Sequence, residues 1–196
     1  MPSIEYDLRY LSSGLSDLES YILSSDLYWP VGVSPPVGEP PYPSLTIGNL
    51  LLAHRRLECR SIRPEDYLEY NQLNHSLEKF RVQWQHTWGQ KVAREFRARL
   101  NLWRDFIEDY RADPAGNIDR YSYEVQRRVE LEILKSETQA VHPQELEMLK
   151  GLDKFLQVVF EQGNFIWEAE LISGFASDTY WFLYGRPKNP EASAPR

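Results

Sequence analysis

The 196-residue chain carries 22 lysines and arginines against 29 aspartates and glutamates, a formal net charge of −7, and 42% of its residues are hydrophobic. This composition excludes a disordered chain, which has too little apolar surface to bury, and the length favours a single domain with a sizeable core. The overall acidity argues against nucleic acid as the default partner.

The charge is unevenly spread. Residues 1–46 net −5, residues 47–112 net +3 and residues 113–196 net −5, so a basic middle can neutralise acidic ends inside one fold. Cys59 is the single cysteine, which rules out an intramolecular disulfide and a cysteine-based zinc site. The opening MPSIEYDLRYL lacks the basic stretch and apolar core of a secretion signal. No run approaches the roughly 18 apolar residues of a membrane span. The expectation is a cytoplasmic protein with no membrane contact.

In chain order, Ile4, Leu8, Leu11, Leu15, Leu18 and Ile22 recur at alternating steps of four and three, the spacing of one helical face. They predict a first helix ending near Ser24–Asp26. Six of the thirteen prolines follow between Pro30 and Pro43, and residues 29–46 read as a stiff strap. In polyproline II form, at about 3.1 Å per residue, the prolines would span roughly 43 Å, enough to cross a bundle between two helices. The PPYP at 40–43 has P-x-x-P spacing but no flanking basic residue to orient it as a groove ligand.

Ser44 or Thr46 is placed to cap a second helix that runs to about Cys59. Ser61, Pro64, Glu65 and Asp66 then mark the start of a third. From Tyr70 to Tyr110 an apolar stripe advances forty residues in eleven steps, close to the 3.6 of a straight helix rather than the 3.5 of a coiled coil. It predicts one long central helix, on the order of 70 Å, with Gly89 the candidate kink and continuity favoured. DPAGNID at 113–119 is a turn by composition. A fourth helix over 119–138 carries Tyr121, Val125, Val129 and Ile133, and a fifth follows Pro143 through Leu146, Leu149, Leu152, Leu156 and Val159. YWFLY at 180–184 is the last apolar element, and 185–196 has the composition of a disordered tail. No strand is predicted. The expected fold is all-α, a helical bundle of about five helices built around the long one, with residues 1–184 as a single domain.

Chemistry is sparse. Phosphate-binding glycine loops, nucleophile elbows and HExxH are absent, and no glutamate has a histidine three residues later, which argues against the usual di-iron bundle site. His75–Glu78 and His142–Glu145 are isolated pairs, and two potential ligands do not make a metal site. No catalytic residue, cofactor or metal is assigned.

Three features remain. His54 falls in the centre of the apolar face made by Ile47, Leu50, Leu51 and Leu57. A satisfied core histidine is the simpler reading, and a pocket or pH-sensitive core the sharper one. Lys79, Arg94, Arg97 and Arg104 lie on the polar face of the long helix, a candidate surface for a polyanion or a partner, with a solvated or internally balanced face as the simpler reading. Tyr180, Trp181 and Phe182 either dock as the last piece of core or form an apolar partner patch. The missing catalytic constellations and the length of the central helix favour a non-enzymatic scaffold or adaptor with protein partners, itself included as a homodimer. A nucleic-acid-associated protein using the basic face, and a small-molecule sensor or enzyme with a pocket near His54, are the alternatives.

Overall fold

A computed structural model describes residues 2–188 and is mostly helical. Seven α-helices are present among these residues: α1 Ile4–Leu23, α2 Ile47–Cys59, α3 Pro64–Gln83, α4 Gln85–Ala112, α5 Pro114–Asn117, α6 Tyr121–Glu137 and α7 Pro143–Val159. Two strands, β1 Phe160–Phe165 and β2 Tyr184–Pro187, pair antiparallel. No described helix is long and apolar enough to cross a membrane.

Local chemistry places the helix ends. The Ser3 side chain caps α1 by accepting from the Tyr6 N–H, and Thr46, not Ser44, caps α2 by accepting from the Asn49 N–H. Pro64 opens α3, with Glu65 and Asp66 in its first turn. His142 and Glu145 form the capping box of α7, so this His–Glu pair satisfies backbone donors.

The helices α1 and α2 pack antiparallel, with Leu45 and Leu50 near Gly14 and Arg56 against Asp7. The most extensive pairing is between α4 and α6. It runs antiparallel from Trp88, bonded to Glu137, to Phe106, in ring contact with Tyr121. Side chains buried at their contacts include Val92, Phe96, Leu100, Trp103, Val125 and Val129, none more than 1% exposed. Helix α7 lies along α4, and the chain after it closes over α2 and α6.

Four expectations change. The long stripe is divided: the backbone leaves helical geometry at Trp84, with φ −109° and ψ 21°, to give α3 and α4. The division lets α3 fold against α1 while α4 lies on α6, which one straight rod cannot do. Gly89, the expected kink, sits inside α4 against Thr138. A two-stranded sheet exists where no strand was predicted, because FEQGNF and YGRP satisfy each other across the sequence and neither contains a β-branched residue or an alternating apolar run to announce it.

The expected tail also begins too early. Gly185, Arg186 and Pro187 belong to β2, and the Lys188 N–H donates to the Val159 carbonyl. Residues 189–196 of the expected tail lie outside the described residues. Lastly, the proline segment does not cross the molecule. Trp29 and Leu45 exchange both backbone hydrogen bonds, at 3.1 and 2.7 Å, so the segment leaves and returns to one place as a cinched loop. A turn at Pro36–Glu39, with Gly38 at φ 89°, reverses it.

A tyrosine and proline cleft above buried ion pairs

The sequence features are dispersed in the structure. His54 is 8% exposed and lies between α2 and α3, its Nε2 2.9 Å from Asn74 Oδ1 and its ring stacked on Tyr70. It is a core histidine with a polar partner, as burial requires. The basic row is split by the break at Trp84, with Lys79 on α3 and the three arginines on α4. Arg94 donates to the Ser25 carbonyl at 2.8 Å, Arg97 pairs with Glu145, and Arg104 pairs with Asp105 and Glu108. Lys91, at the edge of the row, is buried. Its Nζ donates to the carbonyls of Tyr21 and Ser24, both at 2.9 Å, and lies over the Tyr21 ring. It thereby satisfies carbonyls at the end of α1.

The aromatic run is not an exposed patch. Tyr180 and Phe182 are buried and Trp181 is half-buried. Tyr121 Oη donates to the Phe182 carbonyl at 2.5 Å, and the Arg128 guanidinium lies 4.4 Å from the Phe182 ring. The run docks as the last piece of core, with Phe182 against α6, Tyr180 against Phe175 and Arg55, and Trp181 against Phe160, and burial of aromatic surface favours that docking.

The main chemistry of the interior is ionic. Asp7, wholly buried on α1, accepts from Arg56 Nε at 2.9 Å and from Arg60 Nη1 at 3.0 Å. Arg60 also reaches Glu170 at 2.6 Å and Glu168 at 3.2 Å, which ties α2 to the C-terminal segment. A second cluster centres on Arg99. Its Nε donates to Glu95 at 2.7 Å, Nη1 pairs with Glu130, and Nη2 donates to Thr46 and Asn49 at 2.9 and 3.2 Å. Glu95 also accepts from the Gly48 N–H at 3.0 Å, one of the free donors at the start of α2. A Cβ on Gly48 would lie 2.6 Å from that carboxylate, so a larger residue there would have to displace Glu95 from the Gly48 N–H and Arg99.

Burial pushes the Asp7 and Glu130 carboxyls up, and the facing guanidiniums of Arg56 and Arg99 pull them back. Burial likewise opposes the Arg99 charge, but Glu130 and Glu95 more than restore it and hold the guanidinium above its ordinary range. Three buried carboxylates thus face three buried guanidiniums. Each pair is worth little against an apolar replacement, and breaking one strands a charge.

Sequence periodicity missed these residues because they flank apolar stripes and so read as surface. The available signal was spacing. Arg56 and Arg60, and Glu95 and Arg99, stand four apart beside the apolar face, within the width that a core-facing stripe covers.

Above the ion pairs lies an open cleft of ≈ 420 Å³ between the proline loop, α1, α2 and α6. Pro40, Pro41 and Pro43 of the loop, Tyr6 and Tyr10 of α1, and Tyr123 and Gln126 of α6 line it, with the prolines and Tyr123 exposed and Tyr6 and Tyr10 buried. Asn49, Leu52 and Arg56 also line it. Asn49 and Gln126 are engaged with Arg99 and Glu130, while Tyr123 stands 73% exposed. Tyr123 and Gln126 also border a second concavity that reaches Ile166 and Trp167. Among the described residues, no group of three or more histidine, cysteine, aspartate or glutamate side chains is placed to hold a metal ion. No protein-family model, curated protein or solved structure matches the chain.

Proposed function

We propose that this protein is a non-enzymatic, cytoplasmic helical scaffold or adaptor that acts through protein–protein contacts, with a homodimer as one form of them. In this reading α4 is the central rod of a helical bundle, since α1, α2, α3, α6 and α7 all contact it. One observation carries the proposal. Arg56 and Asn49 at the cleft are held across helices, by Asp7 of α1 and Arg99 of α4, and Gln126 is held by Glu130 within α6, while the exposed lining is Pro40, Pro41, Pro43 and Tyr123. Tyrosine supplies large contact area at low rotamer entropy together with a polar tip, which is why it is enriched at interfaces.

Affinity capture from native lysate with and without nuclease tests the reading. Nuclease-resistant protein partners, lost on Tyr123→Ala, are the expected result. Capture that disappears with nuclease would favour the basic residues Lys79, Arg94, Arg97 and Arg104 and a polyanion instead. Light scattering across micromolar concentrations tests the homodimer, which a constant monomer mass would remove.

A further inference from the structure

The seating of the proline loop shows what this surface reads. Tyr6 Oη donates to the Pro41 carbonyl at 3.3 Å, and Tyr10 Oη donates to the Ser44 carbonyl at 3.1 Å. The Tyr42 ring lies 4.5 and 5.4 Å from the Tyr6 and Tyr10 rings. An extended proline-rich chain makes no internal hydrogen bonds and lacks N–H groups at its prolines. Its carbonyls and ring faces are therefore what a partner can hold, and tyrosines hold both. The cleft continues this interface outward. Tyr6 and Tyr10 line it from the buried side, Tyr123 and the exposed Pro41 and Pro43 line the same cleft, and the Tyr123 hydroxyl has no hydrogen-bond partner among the described residues, its ring lying 5.8 Å from the Arg127 guanidinium. Arg56 holds Asp7 through Nε and Nη2, which leaves Nη1 for a ligand.

We infer that the cleft takes an extended, proline-containing peptide segment of a partner protein. Its prolyl rings pack between Tyr123 and the loop prolines, and its carbonyls face the Tyr123 hydroxyl and Arg56 Nη1. This assignment rests on the adaptor reading and names the partner's chemistry. Among the described residues Arg56 is the one charged side chain lining the cleft, and it is paired with Asp7. A neutral ligand of rings and carbonyls is thus favoured over a polyanion. Aromatic-lined grooves recognise polyproline II segments by the same means, because such segments are already ordered before binding.

The test titrates a fluorescein-labelled oligoproline peptide, and a glycine-serine peptide of equal length, into the full-length protein and reads anisotropy. Saturable binding of oligoproline alone is expected. It should weaken about tenfold or more in Tyr123→Ala and be unchanged in Tyr67→Ala, which removes an exposed tyrosine on α3. Thermal melts of both variants check that folding is retained. Absence of saturable binding, or equal weakening in the two variants, overturns the inference. Photo-crosslinking from benzophenylalanine placed at Tyr123 or at Leu68, in native lysate, separates the two levels of the argument. Adducts at 123 that oligoproline competes away support the cleft. Adducts at 68 alone overturn the cleft and leave the adaptor reading standing, and adducts at neither overturn both.

Discussion

Helices α3 and α4 share one apolar rhythm and have opposite roles. Of the twenty residues of α3 only Leu77 is fully buried, and Tyr67, Leu68 and Val82 face outward. Of the twenty-eight in α4, eleven are buried, including the charged Lys91, Glu95 and Arg99. The difference is in what surrounds them. Helix α4 packs extensively on α1, α2, α6 and α7, whereas α3 packs on α1 and α4 and meets α2 and α6 only through a few side chains, Asn74 and Tyr70 at His54 and Arg81 at Glu137. A stripe at helical spacing thus establishes a helix and one inward face, and the number of neighbours decides how much of the remaining surface is also removed from water.

The largest expected effect is alkaline unfolding, and it acts chiefly through tyrosines of α1, the proline loop and α6. Burial raises the hydroxyl pKa of Tyr10, Tyr21 and Tyr121 above the ordinary value of 10.0, and that of Tyr42 to about 12. The unfolded chain releases these protons near pH 10 and the folded chain holds them longer. The folded state therefore binds more protons, and stability falls as pH rises from 10 through 12 while remaining complete below. The part of the tyrosinate absorbance that comes from the buried rings should appear together with the loss of helical circular dichroism. Early ionisation of all the tyrosines with the helices intact would contradict the burial described.

Next in size is Arg99→Ala, which strands Glu95 and Glu130 in the interior. A loss of about 3–5 kcal/mol is expected in denaturant melts, a large share of a domain stability of about 5–15 kcal/mol. On α3, Leu77→Ala should cost about 2–3 kcal/mol, the lower part of the usual range for a buried leucine, because a lightly held helix can resettle over the gap. A larger loss there than at Arg99 would reverse the comparison between the two helices.

Gly174→Ala probes the closure over α2. Its new Cβ would overlap Cys59 Sγ, with an expected cost of about 1–3 kcal/mol. Adding Cys59→Ala should recover most of that cost, and a double variant no better than the single would place the clash elsewhere. Smallest is Leu68→Ser on the outer face of α3, where the side chain is 69% exposed. A change within about 0.5 kcal/mol is expected, and amide exchange should show α3 opening before α4.

Much of the helix inventory was legible in residues alone. Periodicity and caps located α1, α2, α6 and α7 because those signals are local: a stripe, a Ser or Thr cap, a proline in the first turn. The break at Trp84 was not legible, since no proline or glycine stands there and the stripe continues in phase. Nor were β1 and β2, each of which depends on a partner about twenty residues away. At the cleft, the prolines and tyrosines were visible as residue types. Their meeting was not, because Tyr6, Pro41 and Tyr123 come together only through the loop and the packing of α6.

The sequence by itself determined a mostly helical chain, the approximate ends of α1, α2, α6 and α7 and the apolar faces that turn inward, because these follow from backbone sterics and the 3.6-residue repeat. Tertiary structure alone decided where the helical stripe bends, that the proline segment closes on itself, and which charges go inside. A buried carboxylate is tolerable only where guanidiniums from other elements arrive within hydrogen-bond reach, as Arg56 and Arg60 do at Asp7 and Arg99 does at Glu130. Such an arrangement is a property of meeting surfaces, and no single segment contains it.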